Sequence, residues 1–195
     1  MNTTIGPSAQ FKLHHLAKNW IEPCNLCDIS KLCKHKVVYR MYTPSPTQTI
    51  DILLIGEAPG QVEYAEKEPF IGPAGMTLQD IISESIPPTL SYCIINSIMC
   101  TPFENETRYN IRIPSLSEVK ECSAHLTRIA KLLKPKYVIL LGKIAEKAFK
   151  YINCPLPAPI AVKHPSAIMQ SKTTYEFDNA VLKIREYLND YSNKE

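Results

Sequence analysis

Two glycine- and proline-rich stretches carry side chains that can hold a planar ligand. They are residues 56–60 and 69–75, and the carboxylate of Glu63 and the aromatic ring of Phe70 lie between and within them. Glycine lets the backbone approach a ligand closely, because it has no side chain to intervene. A plain strand-to-helix loop explains the glycines equally well, so it is the pairing of a carboxylate with an aromatic face that favours a binding pocket.

Two further polar side chains follow predicted strands. Asn96 lies near the end of the strand predicted at 92–99, and His164 comes just after the strand predicted at 160–162. The amide of Asn96 can donate and accept at once, which suits reading the edge of a base, and His164 can stabilise negative charge on a leaving group. A backbone cap and an ordinary loop position are the alternatives. Their placement together with Glu63 and Phe70 favours the functional interpretation.

The cysteines indicate a second feature. Seven cysteines, an odd number without an apolar signal segment, predict a reducing compartment rather than a secreted disulfide framework. Cys24 and Cys27 form a Cys-x-x-Cys pair, and Cys100 and Cys122 can complete four thiolates for an iron–sulfur or zinc centre. A redox dithiol is the other reading, but the pair lies beside Pro23 and before the first strand, unlike a thioredoxin-type site.

Length and composition favour one soluble domain spanning residues 1–195. The chain is 45% hydrophobic and 21% charged, and no stretch of about 18 apolar residues predicts a membrane span. The net charge of +3 hints only weakly at a polyanionic partner. We expect a monomer in the cytoplasm, associated with the nucleoid, or in the host cytoplasm if a virus encodes it.

Strand and helix patterns alternate from residue 50 onward. We predict an N-terminal helix at 8–20, a cysteine segment and a connector at 42–49, all within residues 1–49, and an α/β core at 50–189. The core has strands at 50–55, 92–99, 137–142 and 160–162, with helices at 75–85, from Ser115 or Ser117 to Pro135, at 143–151 and at 175–188. This order predicts a three-layer α/β/α sandwich with a central four-stranded, mostly parallel sheet. Lysines 143, 147 and 150 are expected on a solvated helix face rather than on a phosphate track.

Taken together, these motifs resemble the iron–sulfur uracil-DNA glycosylases, family four of the uracil-DNA glycosylase superfamily. The resemblance covers about residues 20–185, and the motifs occur in the order of that family. The segments that carry it are Gly-Glu-Ala-Pro-Gly at 56–60 with Glu63, Pro-Phe-Ile-Gly at 69–72, Asn96 with Cys-Thr-Pro at 100–102, Arg-Ile-Pro at 112–114 through Cys122, Leu141-Gly142 and His164-Pro165-Ser166. Such enzymes cleave the N-glycosidic bond of uracil in DNA and leave an abasic site during base-excision repair.

By position, the resemblance implies roles for the pocket residues. Phe70 stacks on a uracil flipped out of single- or double-stranded DNA, Asn96 hydrogen-bonds the edge of the base, and His164 stabilises the uracil anion at O2. After His164, the apolar pair Ile168 and Met169 is expected to wedge into the duplex, with core packing as the alternative.

The other pocket positions implied by the resemblance come from the loop after the first strand. Glu57 and the backbone amides from Ala58 to Gly60 form the pocket wall. The best-known uracil glycosylases have an aspartate where Ala58 stands, so we assign the water to Glu63, which positions or activates it.

The resemblance also implies a [4Fe–4S] cluster on Cys24, Cys27, Cys100 and Cys122, with zinc as the alternative. Cys33 stands where the family tends to have a basic residue, and it is also a candidate to replace Cys122. Gln170 stands where the family often has an arginine, and Lys163 or Lys172 is a candidate for the lost phosphate contact.

Two further readings concern activity. The extra residues at 103–111 contain no histidine, which disfavours the covalent capture used by a cross-linking branch of the superfamily. A non-catalytic DNA- or protein-binding module that retains the fold and the metal centre is the alternative function.

Overall fold

The computed structural model describes residues 8–44, 49–108 and 110–192. The ends of the expected domain at 1–7 and 193–195, residues 45–48 of the expected connector, and Tyr109 in the 103–111 segment lie outside these described residues.

In the described residues, five strands form a single sheet with the order β1-β3-β2-β4-β5. The strands are β1 (Arg40–Tyr42), β2 (Ile52–Gly56), β3 (Tyr92–Asn96), β4 (Tyr137–Leu141) and β5 (Ile160–Val162). β2 to β5 run parallel, whereas β1 pairs antiparallel with β3, and Met41 lies opposite Cys93. The α/β class and the mostly parallel sheet are confirmed. The predicted count of four strands was one short, because β1 lies in the segment assigned to the cysteines and the connector.

Eight α-helices flank the sheet in the described part of the chain. They are α1 (Ala9–Leu16), α2 (Asp28–Leu32), α3 (Gln61–Glu66), α4 (Pro73–Ser85), α5 (Leu116–Leu133), α6 (Lys143–Phe149), α7 (Pro165–Met169) and α8 (Tyr175–Ser192). The helix predicted at 8–20 is α1 together with a π-helical turn at Ala17–Ile21. Ser115 caps α5 and accepts a hydrogen bond from the Glu118 N–H, as one of the two predicted starts required.

Successive residues of the central strands bury opposite faces of the sheet. Leu53 and Ile55 of β2 pack into one core, which α1, α5 and α6 cover, while Ile52 and Leu54 pack into the other, which α4, α7 and α8 cover. All five residues of β2 are buried, as expected for a parallel strand covered on both faces. The N-terminal helix therefore shares a core with the sheet and does not form a separate unit.

Among the described residues, no helix combines the length with the apolar character needed to cross a bilayer.

Candidate active site

The polar residues predicted from sequence meet at the carboxyl edge of the sheet. β2 ends at Gly56, β3 ends at Asn96, β4 runs into Gly142, and β5 leads within two residues to His164. The chain passes from β3 on one side of β2 to β4 on the other, and ligands of open α/β sheets bind outside the strand ends at such a reversal.

Gly56 leaves the space in which Phe70 and Asn96 approach each other. A Cβ atom at residue 56 would lie 2.4 Å from Cζ of Phe70 and 2.6 Å from Oδ1 of Asn96. Both side chains are buried, and Oδ1 of Asn96 has no hydrogen-bond partner among the described residues. An aromatic face and a free buried acceptor therefore lie side by side, which suits a flat ligand that carries a hydrogen-bond donor on its edge.

The backbone of Phe70 is held in an unusual conformation. Its φ of 58° lies in the left-handed region, which is rare for a bulky residue. Gly75 permits this, because a Cβ at residue 75 would lie 2.0 Å from the Phe70 carbonyl oxygen. Arg40 of β1 donates to that oxygen at 3.1 Å and pairs through Nε with Glu68 at 3.1 Å. Such backbone strain is typical of functional sites that must fix one side chain.

His164 faces the same pocket with one defined tautomer. The Ser166 N–H donates to Nδ1 at 3.3 Å, and the Ser166 hydroxyl lies 2.8 Å from the same atom. Nδ1 is therefore an acceptor, so the ring proton is on Nε2, which is buried and has no partner among the described residues. Burial lowers the pKa of His164, which keeps the imidazole neutral. The ring lies 6.0 Å from that of Phe70, measured between centroids.

Gly142 makes the approach of His164 possible. Its φ of 87° is left-handed, and a Cβ there would lie 2.8 Å from Cβ of His164. Glycine is needed at this position for both reasons.

Glu63 connects the two glycine-rich stretches. One carboxylate oxygen accepts the N–H of Gly60 at 3.1 Å, and the other accepts the N–H of Gly72 at 3.0 Å. Gly60 precedes α3 and Gly72 precedes α4, so one side chain satisfies an exposed donor at the start of each helix. The half-buried carboxylate keeps a lone pair on each oxygen for a further donor.

Glu57 and Ala58 line a cavity of about 900 Å³ together with His164. Both residues are half-buried, and burial raises the pKa of Glu57. The cavity thus places a carboxylate and the imidazole around one volume.

The predicted wedge pair divides between core and surface. Ile168 is 5% exposed and packs into the core beside α4 and α8, in agreement with the core-packing alternative for this residue. Met169 is 47% exposed.

The four cysteines predicted to bind a metal come from three segments: Cys24 and Cys27 precede α2, Cys100 follows β3, and Cys122 lies in α5. Burial raises the pKa of Cys122 to about 12, and the charges of Cys27 and Cys24 contribute smaller increases. Cys33 and Cys100 hydrogen-bond through their side chains, which holds the pKa of Cys33 at about 7 and raises that of Cys100.

The donor set has the thiolate chemistry that iron–sulfur clusters and zinc prefer. Across residues 8–44, 49–108 and 110–192, however, no three His, Cys, Asp or Glu side chains meet in metal-binding geometry. The remaining cysteines differ: Cys93 is fully buried in β3, as predicted for a structural cysteine, and Cys154 is half-buried in the loop before β5.

The enlarged 103–111 segment folds back on itself. Phe103 and Ile111 form an antiparallel bridge, and the buried ring of Phe103 meets Tyr64 of α3 edge-on at 5.0 Å. Arg108 donates to the Leu32 carbonyl at 3.1 Å. Residues 103–111 thus connect α3, which carries Glu63, to the end of α2, which lies between Cys27 and Cys33.

Sequence reasoning missed some residues that shape this site. Arg40 lies in a strand of three residues, too short to show alternation, and its contact with Phe70 spans thirty positions. The sequence does contain an indication for Gly142, since a glycine directly after an apolar strand often marks a place where a ligand or another part of the chain approaches the backbone closely.

Comparison with known proteins identifies the family of this chain. The family model described as "Uracil DNA glycosylase superfamily" matches residues 44–189. A Type-4 uracil-DNA glycosylase from Pyrobaculum aerophilum is 32% identical over 137 residues, which cover 70% of this chain and 62% of the relative. Proteins of the same name from Archaeoglobus fulgidus and Saccharolobus solfataricus are 29% and 32% identical, over 65% and 68% of this chain.

The matched regions span only part of each relative. They cover 58% of the Archaeoglobus fulgidus protein and 57% of the Saccharolobus solfataricus protein. The family model, by contrast, covers most of this chain, including the ends of β2 to β5 and the residues that surround the pocket. The chain therefore belongs to the uracil DNA glycosylase superfamily.

Proposed function

We propose that this protein is a uracil-DNA glycosylase that flips uracil out of DNA, hydrolyses its N-glycosidic bond and leaves an abasic site. The observation that carries the proposal is the pair of buried polar atoms without partners among the described residues, Oδ1 of Asn96 and Nε2 of His164, both near the Phe70 ring. Buried polar atoms without partners are rare, and a ligand that supplies the missing bonds accounts for both.

Uracil has the matching pattern of donors and acceptors. Its N3–H can donate to Oδ1 of Asn96, whereas cytosine presents an acceptor at that ring position and would leave two acceptors facing each other. Phe70 supplies a stacking face. The pocket can reach the base only after the base leaves the helix, since its edge and face are otherwise occupied by pairing and stacking.

His164 supports departure of the base. As the bond between C1′ and N1 breaks, its electron pair passes to the uracil ring and places negative charge on O2. The neutral imidazole donates its Nε2–H to that oxygen, and the low polarity that keeps His164 neutral also strengthens this hydrogen bond.

A water molecule then completes the reaction at C1′. Its oxygen bonds to the sugar carbon, its proton passes to the carboxylate of Glu63, and the departed uracil anion takes up a proton from solvent. We assign the positioning of this water to Glu63, whose oxygens each keep a lone pair after accepting a backbone N–H. We assign the pocket wall to the half-buried Glu57 and Ala58, which line the cavity, together with the backbone of Gly60, which does not line it.

We further propose that Cys24, Cys27, Cys100 and Cys122 hold a [4Fe–4S] cluster, with zinc as the rival metal. Such a centre would supply covalent cross-links between the start of the chain, the loop after β3 and helix α5. Its role there is structural. In this proposal Cys33 interacts with Cys100 but does not bind the metal.

The partner that follows from this proposal is uracil-containing DNA, single- or double-stranded. A single domain acting as a cytoplasmic monomer remains our expectation.

The decisive experiment is uracil release from a uracil-containing oligonucleotide by anaerobically purified protein. Asn96→Ala and His164→Ala should each abolish release, while the exposed Asn153→Ala and His14→Ala serve as matched controls. If metal-loaded wild-type protein binds the DNA but leaves it whole, the binding-module alternative is correct and the glycosylase proposal fails.

A further inference from the structure

The cavity that contains His164 and Glu57 is also lined by four lysines. Lys143 and Lys147 come from α6, Lys163 precedes His164, and Lys183 comes from α8. All four are exposed side chains. Three different parts of the chain thus bring positive charge to a cavity that shares His164 with the pocket that we assign to the uracil, although Phe70 and Asn96 do not line it.

Carboxylates do not cancel this charge. The acidic residues that line the same cavity are Glu57 and Glu146, half the number of lysines. Lys163 pairs with Glu176 at 2.9 Å, and Lys183 donates to the Ala161 carbonyl at 2.8 Å.

Lys143 and Lys147 are different from the other two lysines. Within the part of the chain that the structure describes, neither has an ion pair or a hydrogen bond from its ammonium group. Two exposed ammonium groups are therefore available to an anionic ligand beside the pocket.

Their spacing also fits an extended ligand. Residues four apart on a helix lie on one face, about 5–6 Å apart at Cβ, so the two ammonium groups project in the same direction. A cavity of about 900 Å³ is at the upper end of the range for pockets that enclose drug-sized ligands, and it has room for more than one pyrimidine.

We propose that Lys143 and Lys147, supported by Lys163 and Lys183, bind the phosphates that flank the flipped nucleotide. This inference rests on the proposed glycosylase function and extends it to the DNA backbone. Lysine acts on phosphate as a point charge without a required geometry, so the contacts fix the strand over the pocket and carry no sequence information.

The same helix offers a control. Lys150 is exposed and follows α6 by one residue, but it does not line the cavity. Lys131 of α5 is likewise exposed and outside the cavity. The double variant Lys143→Ala/Lys147→Ala can therefore be compared with Lys150→Ala/Lys131→Ala, which removes the same charge from elsewhere.

The test is fluorescence anisotropy of a labelled single-stranded uracil oligonucleotide, with binding measured from about 50 to about 200 mM salt. Two lost phosphate contacts should reduce the slope of log K against log salt by about 1.4 and raise Kd roughly tenfold at fixed salt. The control double variant should keep a slope close to that of the wild type. Uracil release at saturating DNA should stay near the wild-type rate in the Lys143→Ala/Lys147→Ala protein.

If the Lys143→Ala/Lys147→Ala protein keeps the wild-type salt slope and the wild-type Kd, the inference is wrong, even if the enzyme is active. So would a lower saturating rate without a change in slope, or an equal loss in the control double variant. If wild-type protein releases no uracil, the glycosylase proposal fails, but the slope still tests the phosphate contacts because binding is measured independently of cleavage.

Discussion

Ser166 fixes the proton of His164. Its N–H donates to Nδ1 at 3.3 Å while its hydroxyl lies 2.8 Å from the same atom, so the proton of the neutral ring is on Nε2, inside the pocket. The two residues are adjacent to Pro165 at the first turn of α7, and the helix start therefore orients the ring as well as capping itself.

Ser166→Ala should weaken but not abolish uracil release. The variant loses the hydroxyl and keeps the backbone N–H, so a net loss of about 1 kcal/mol, or roughly fivefold in rate, is expected. Single-turnover release at saturating DNA measures it, with the exposed Ser83→Ala as control. A loss as large as that of His164→Ala would show that the hydroxyl has a more direct role.

Gly56→Ala should close the pocket. The added Cβ would lie 2.4 Å from Cζ of Phe70 and 2.6 Å from Oδ1 of Asn96, and neither buried side chain can move without disturbing the other. Displacements of this size cost roughly a hundredfold or more in rate. Binding of uracil-free DNA should be retained, because the change is buried at the end of β2. Normal release by Gly56→Ala would contradict the placement of the base between Phe70 and Asn96.

Glu63→Gln tests two roles of one side chain. An amide can accept only one of the two backbone N–H groups, so the free energy of unfolding should fall by about 1–3 kcal/mol. Loss of the water contact should also lower the saturating rate, roughly a hundredfold or more. Thermal melting and single-turnover release are measured together, with the exposed Glu66→Gln of α3 as control. Reduced stability with a full rate would limit Glu63 to holding the two loops together.

Removing individual thiols should identify the metal and its ligands. Iron content and visible absorbance of anaerobically purified protein should be lost in alanine variants of Cys24, Cys27, Cys100 and Cys122. Cys154→Ala, which changes a half-buried thiol in the loop before β5, should keep both signals. Cys33→Ala should also retain iron. Loss of iron in Cys33→Ala but not in Cys122→Ala would mean that Cys33, and not Cys122, is the fourth ligand. Stoichiometric zinc in a colourless protein would mean that the metal is zinc.

His125 should make the fold sensitive to acid. It is buried in α5 with neither ring nitrogen bonded among the described residues, and burial, with smaller effects of Arg128 and Lys36, lowers its pKa below 6.5. The unfolded chain therefore takes up the proton first as the pH falls, so the free energy of unfolding decreases below about pH 6.5.

His125→Leu should reduce this dependence and raise stability by about 1–3 kcal/mol, because an unpaired polar ring is replaced by an apolar side chain. Urea unfolding at about pH 8 and about pH 5.5 measures the difference. Part of the pH dependence of the free energy of unfolding should remain in His125→Leu, because burial also lowers the pKa of His164. The exposed His14→Leu is the control. An equal change at both pH values would contradict a neutral, buried imidazole at residue 125.

The sequence predicted the parts of this fold that rest on local patterns. Apolar runs marked β2 to β5, Ser115 marked the start of α5, and the strand ends brought Asn96 and His164 to one edge. These signals are local, and parallel strands necessarily align their carboxyl ends.

The missing parts depend on contacts distant in sequence or on very short elements. β1 has three residues and forms only through its pairing with β3. The burial of Ile168 could not be predicted because α7, with five residues, is too short to show a helical pattern of apolar positions. The lysines of α6 are exposed, as predicted, but only the tertiary fold shows that Lys143 and Lys147 share a cavity with His164 while Lys150 does not.

The short strand β1 has a further consequence, for self-association. It covers the hydrogen-bonding edge of β3, whose five residues are all buried. An uncovered apolar edge strand is a template for pairing with another molecule, whereas a three-residue edge that carries Arg40 is a poor one. Displacement of β1 would expose that edge of β3 to pairing with a second molecule. The three-residue strand that follows the N-terminal cysteines therefore protects the protein against association through β3.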